Sequence, residues 1–331
     1  MNPMPVSKLR ALASLTKRGA AVTDLSPLAP LARLTELDLD VAPEVDLAPL
    51  KELPALTELD LECDKRRPGR GLDLRPLGTL PKLASLDVKS CQLGDITPLA
   101  EAPALERLEL VRVGLDARWD GLAKLTGLRA LELSRTGISD LEPVGALQGL
   151  TWLHVSEANV HDLAPLASLA DLEGLDLNDS EVSDLSALRE LKKLRELSAH
   201  GCPIADLEPL AELTALELLW LPETRVSSLA PLADLEALTS LTVSLTEVAD
   251  LRPLAGLPHL RTLSANKTPV SDLSPLEGLP SLVILNFAST QVRDLAPLAE
   301  MPALREVRLC RSLADAFTPP PRVRIEPAGG C

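Results

Sequence analysis

The sequence predicts an α/β solenoid of about thirteen stacked coils, with a parallel β-sheet on one side and short 3-10 or α turns on the other. Three observations carry this. A 22-residue phrase recurs eight times from Gly137 to Ser312 without insertion or deletion, most plainly as PVSDLSPLEGLPSLVILNFAST, Pro269 to Thr290. Within a copy the apolar spacing changes from three to two, as at Leu251, Leu254, Leu257 and Leu260, then Leu263 and Ala265. That change marks a helical segment giving way to a strand. No copy can bury its leucines alone, so neighbours must stack.

An acidic mark rules the chain: Asp140, Asp162, Asp184, Asp206, Ser228, Asp250, Asp272 and Asp294 stand 22 apart. Backwards, it falls at Arg118, Asp95, Asp73, Asp46 and Asp24, with irregular steps only at 46 to 73 and 95 to 118. An Asp or Ser followed three residues later by Pro predicts a capped short turn. The side-chain oxygen takes an otherwise unpaired N–H, and Pro presets φ where its missing N–H costs little. Gly121 and Ala187 replace the Pro in two copies. A 22-residue coil leaves room for little regular α-helix, so 3-10 turns are expected.

In chain order, residues 1–19 read as an N-terminal capping half-repeat. Leu9, Leu12 and Leu15 keep the spacing of three, while Lys17 stands where a core leucine would be. Residues 20–312 form the solenoid. A basic insert with Lys65, Arg66, Arg67 and Arg70 lengthens one step from 22 to 27 and reads as a solvated loop. Trp119 falls in a leucine slot and is expected in the core. Residues 313–331 form a C-terminal cap or tail: Pro319, Pro320 and Pro321 stop the stacking, and the segment from Val323 to Ile325 can add a last strand over the edge.

The phrase LxxLxLxxT followed by xVxDLxPLxxL resembles the leucine-rich repeat of 22 residues. Leu282, Leu285, Phe287, Thr290, Val270, Asp272, Leu273, Pro275 and Leu276 carry the match in one copy. The class occurs in bacterial internalins and in the leucine-rich regulatory subunit of protein phosphatase 1. The resemblance implies a curved right-handed stack with a concave parallel sheet, and protein recognition on that face. Typical internalins have a secretion signal, a wall anchor and an immunoglobulin-like segment, and none is read here.

Composition narrows the function. A net charge of −15 and a pI near 4.8 oppose nucleic-acid binding, and so does the scarcity of aromatics, with no Tyr, two Phe and three Trp. The N-terminus lacks a secretory apolar core, and no run of about 18 apolar residues suggests a membrane span. Five cysteines at irregular positions fit a reducing compartment better than a disulfide framework, so a cytoplasmic location is expected.

Side chains alternate across a strand, so one central column faces solvent, with about 4.8 Å between copies. It reads Asp38, Asp60, Asp87, Glu109, Glu132, His154, Asp176, Ser198, Trp220, Thr242, Ser264, Asn286 and Arg308. Its five leading carboxylates would repel one another, a field partly offset by Lys89, Arg107, Arg112 and Arg135. These carboxylates are candidates for contacting a basic protein segment. Trp152, His154, Asp176, His200, Leu218 and Trp220 are the other candidate partner-binding residues, the tryptophans serving as anchors.

No catalytic motif is present, so no enzyme activity is expected. His154 and His200 stand two copies apart, too far to share a zinc ion. Cys202 takes an inward position held by Thr in other copies and reads as a buried thiol. Cys63 and Cys91 lie near strand ends in adjacent copies and could approach each other. No metal or cofactor is assigned. The sequence therefore predicts a monomeric protein-binding module. Its alternatives are a regulatory subunit or scaffold acting on an enzyme such as a phosphatase or GTPase, and an exported internalin-like adhesin or effector.

Overall fold

The structure is a computed structural model that describes residues 12–63, 71–115, 119–315 and 318–328. Leu9, the basic residues Lys65, Arg66, Arg67 and Arg70, and Arg118 lie outside these. The chain divides into two compact units, residues 1–159 and 160–331, and each is an α/β solenoid of coils.

In the first unit the strands Ser14–Val22, Glu36–Val41, Glu58–Cys63, Ser85–Lys89, Arg107–Val111, Ala130–Glu132 and Trp152–His154 pair in that order, all parallel. Register is one-to-one, which puts Leu37, Leu59, Leu86, Leu108, Leu131 and Leu153 in a single buried row. Each such leucine contributes roughly 1.5–3 kcal/mol by leaving water, and only a stacked neighbour makes that burial complete. Lys17 pairs with Leu39 and is exposed, so the strand Ser14–Val22 ends the leucine row with a charge. Two short strands on the opposite side, Gln92–Leu93 and Gly114–Leu115, also pair in parallel.

The turns form as the acidic mark requires. Asp24, Asp46, Asp73, Asp95 and Asp140 each accept the backbone N–H two residues on, at 2.8–3.0 Å. Short 3-10 turns such as Ala48–Glu52 and Thr97–Glu101 follow, and single α-turns occur at Arg75–Gly78 and Glu142–Gly145. Trp119 corrects one expectation. It opens the turn Trp119–Lys124 but is only half-buried, because an indole exceeds a slot sized for leucine.

Cys63 and Cys91 form a disulfide, with Cα atoms 5.0 Å apart across 28 residues. This corrects the expectation that the cysteines build no disulfide framework. The insert hides the pairing in the sequence, since it separates by 28 residues two positions that stacking makes neighbours. Such bonds persist in oxidising surroundings.

In the second unit the strands Gly174–Asp176, Glu196–Ser198, Leu218–Trp220, Ser240–Thr242, Thr262–Ser264, Ile284–Asn286, Glu306–Cys310 and Arg324–Ala328 pair in parallel in sequence order. The last covers the edge beyond Glu306–Cys310, where Pro327 is tolerated because nothing pairs on its outer side among the described residues. Thr224, Thr246, Thr268 and Thr290 each donate to the carbonyl three residues back, at 2.6–2.9 Å. Cys202 holds the equivalent place, fully buried, with its thiol 3.1 Å from the Leu177 carbonyl oxygen. Burial pushes that thiol above its ordinary pKa, which makes it a poor nucleophile.

Candidate functional site

Strand register builds the central column. In the first unit Asp38 pairs with Asp60, Asp60 with Asp87, Asp87 with Glu109, Glu109 with Glu132 and Glu132 with His154. The carboxylates thus stand side by side on one sheet face. Two hollows mark that face. One of about 340 Å³ is lined by Asp38, Asp60, Asp87 and Glu109 together with Glu36 and Glu58. The other, of about 270 Å³, is lined by Glu109, Glu132, Trp152 and His154. Trp152 is half-buried, its ring centroid 6.4 Å from that of His154.

The repulsion expected in this column is relieved by a residue that sequence reading passed over. Arg18 Nε lies 2.6 Å from Asp38 Oδ1, Nη1 lies 3.1 Å from both Asp40 Oδ1 and Glu62 Oε2, and Nη2 lies 2.9 Å from Asp60 Oδ2. Despite the cost of its partial burial, these carboxylates hold the guanidinium above its ordinary pKa. The period itself carries the signal, since Arg18, Asp40 and Glu62 stand 22 apart. Lys89 pairs with Asp87 and lies 3.9 Å from Asp60, and Arg107 pairs with Glu109, as expected. Arg135 instead engages Glu157 in the following turn.

Relief is incomplete. Asp60 Oδ1 and Asp87 Oδ1 are buried and accept no hydrogen bond among the described residues, whereas Asp38 Oδ1 meets Arg18 Nε. Burial raises the pKa of Asp60, and it pushes Asp87 up to about 6, reinforced by the neighbouring Asp60 and Glu109 and opposed by Lys89. Asp40 goes the other way, held low chiefly by the Gly19 N–H.

The second unit presents a different column: Asp176, Ser198, Trp220, Thr242, Ser264, Asn286 and Arg308 in register. Asn178 Oδ1 accepts the Ser198 hydroxyl at 2.8 Å and the His200 N–H at 2.7 Å. Asn266 Oδ1 accepts the Ser264 hydroxyl at 3.0 Å and the Asn286 amide at 3.2 Å. His200 stands between Asp179 and Glu223, at 3.3 and 3.4 Å. Leu218 and Trp220 are exposed, Trp220 by 54%. Leu245, absent from the candidates above, is exposed as well. Among the described residues no three His, Cys, Asp or Glu side chains gather as a metal cluster, and no helix is long and apolar enough to cross a membrane.

These faces can be set beside known proteins. A search of curated protein sequences finds no match. Among solved structures, a leucine-rich-repeat protein of Leptospira interrogans is similar at a TM-score of 0.81 and 21% identity, over 92% of this chain and 81% of that one. An internalin of Listeria monocytogenes is similar at 0.70 and 24% identity, over 87% and 89%. The plant peptide hormone receptor RGFR1, solved in complex with RGF2, is similar at 0.63 and 16% identity, over 92% and 56%. These likenesses are of fold. The family model described as a leucine-rich repeat region matches residues 82–320, and the chain belongs to the leucine-rich-repeat family.

Proposed function

We propose that this chain is a protein-recognition module without catalytic activity, and that the acidic sheet face of residues 1–159 takes a basic segment of a partner protein. One observation carries the reading: Asp38, Asp60, Asp87, Glu109 and Glu132 stand in register on one sheet face, and the first four line a hollow of about 340 Å³. A row of carboxylates favours a cationic ligand, and arginine supplies five N–H groups in a planar fork. Arg18 illustrates the fit by reaching four carboxylates from two adjacent coils. Glu109 and Glu132 extend the surface toward Trp152 and His154, where the hollow of about 270 Å³ can seat an apolar part of the same segment. A plant peptide hormone receptor of similar fold, solved in complex with RGF2, supports ligand recognition by such a solenoid.

Fluorescence anisotropy with a labelled arginine-rich peptide tests the proposal. Binding is expected to weaken steeply with salt, because exposed charges are screened over about 10 Å at 0.1 M. The double variant Glu109→Gln, Glu132→Gln is expected to lose at least about tenfold in affinity. Equal affinity for an acidic peptide of matched length, or no effect of the double variant, overturns it.

A further inference from the structure

Three coils of the first unit set six residues on the acidic sheet face as a grid of two rows. Strand register pairs Arg107 with Ala130 and Ala130 with Trp152, and beside them Glu109 with Glu132 and Glu132 with His154. Neighbours within a row stand about 4.8 Å apart. In the row that runs from Glu36 to Trp152, Ala130 is the smallest residue, and it lies between the two largest. A methyl group cannot fill that gap. The hollow of about 270 Å³ opens there, lined by all six residues together with Leu108 and Leu131. Clefts for small molecules run to about 300–1,000 Å³, so this one suits a single side chain.

The charge around the hollow is uneven. Arg107 ion-pairs with Glu109, so these two offset each other. Arg129 donates instead to the Gly149 carbonyl at 3.1 Å, and Arg135 engages Glu157. Glu132 is left half-buried, with no hydrogen bond or ion pair among the described residues. An indole ring and an unpaired carboxylate both attract a cation, while Ala130 offers an apolar floor for methylene groups. A neutral apolar side chain seated here would cover Glu132 and strip it of water without pairing it. An acidic one would be repelled.

We infer, resting on the basic-segment reading above, that this hollow is a specificity pocket for one arginine of the partner segment. Its methylene stem lies over Ala130 and is the apolar part seated here, and its guanidinium meets Trp152 and pairs with Glu132. Arginine is favoured over lysine because a guanidinium is planar, stacks on aromatic rings and is more weakly hydrated than an ammonium, so a half-buried place costs it less. The chain itself supplies a precedent. Arg18 spreads Nε, Nη1 and Nη2 over four carboxylates of the same face while only partly exposed. The neighbouring hollow of about 340 Å³ is lined by carboxylates and has no aromatic residue, so it attracts cations without choosing among them. Attraction and selection thus fall to different coils.

The test uses the full chain and three labelled peptides of equal length: one with lysine at every basic position, one with a single central lysine replaced by arginine, and one with it replaced by leucine. The single arginine is expected to raise affinity over the lysine peptide at least about fivefold, and leucine to lower it. Ala130→Leu fills the hollow without altering charge and should abolish the arginine gain. The lysine peptide should still bind this variant, since the row of carboxylates is untouched. Trp152→Ala should abolish the gain as well, and Trp152→Phe should restore part of it. A melting curve for each variant confirms that it folds. With the lysine peptide bound, three results overturn the inference and spare the basic-segment reading: equal affinity for arginine and lysine, tighter binding of leucine, or an arginine gain that survives Ala130→Leu. Failure of every basic peptide to bind wild type overturns both.

Discussion

The sheet faces of residues 1–159 and 160–331 are built on the same backbone and stabilised by different chemistry. The first stacks carboxylates and offsets them with Arg18, Lys89 and Arg107, leaving buried acceptors unmatched. The second adds neutral bridges to its ion pairs, with Asn178 and Asn266 linking neighbouring coils through their side-chain oxygens beside the contacts of His200 and Arg308. Each face covers a buried row of leucines, so the fold does not choose between them. What differs is the surface each presents: a row of carboxylates in one case, the exposed Leu218 and Trp220 in the other.

The sharpest way to break this contrast is to remove the cation that makes the acidic face tolerable. Arg18→Ala leaves Asp38, Asp40, Asp60 and Glu62 facing one another. With about 0.5 kcal/mol for each partly exposed pair, four pairs predict a loss of about 2 kcal/mol at low salt. Urea denaturation measures it. The loss should shrink as salt is added, because the remaining repulsion is screened. A salt-independent loss would mean that Arg18 acts by packing and that the ladder is not under electrostatic strain.

Arg18 also shows where sequence reading stops. The fold was legible because the 22-residue phrase repeats its caps and leucines, and the columns Asp38 to His154 and Asp176 to Arg308 were legible because alternation along a strand admits no other assignment. Arg18 stood in a segment read as a degenerate cap, where no strand was expected, so its place 22 residues before Asp40 went unread. Trp119 was assigned by alignment alone, which carries no information about side-chain volume. Leu245 lies outside the strand, in a column whose backbone conformation has no signature in a single copy. Cys63 and Cys91 could be placed near each other, but their bonding needed coordinates.

A second experiment sharpens the contrast through pH. Asp87 has its pKa raised from 3.8 to about 6, chiefly by burial. Above pH 6 the folded chain bears the full cost of the ionised group. Between pH 6 and 3.8 the folded state binds the extra proton first, so this contribution to stability improves as pH falls; below 3.8 both states are protonated and nothing remains. Asp87→Asn should therefore stabilise the chain at pH 7 by about 1 kcal/mol, net of the lost Lys89 pair, and give no gain at pH 4. The capping aspartates Asp24, Asp184 and Asp272 have lowered pKa values, owing mainly to hydrogen bonds from Ser26, Ser186 and Ser274. Their contribution is lost only as pH falls below the ordinary range, so the two effects occupy separate windows. A gain for Asp87→Asn that persists at pH 4 would show that titration of this carboxylate is not its source.

The smallest effect belongs to the opposite side of the coils, where the second unit also repeats an acid. Ser228 interrupts the series of capping aspartates, and its hydroxyl accepts the Ala230 N–H at 3.3 Å, whereas the aspartates accept at 2.8–3.0 Å. Ser228→Asp should shorten that bond and strengthen it through charge. It also completes a row of like charges, and such neighbours already interact, since Asp250 acts to raise the pKa of Asp272. The two terms oppose each other, and only the repulsion is screened by salt. The variant is therefore expected to melt close to wild type in dilute buffer and about 1 °C higher in 0.5 M salt. A gain that is the same at both salt concentrations would mean that stacked carboxylates on this side do not feel one another. In that case the strain on the acidic sheet face would come from burial, with its crowding of charge secondary.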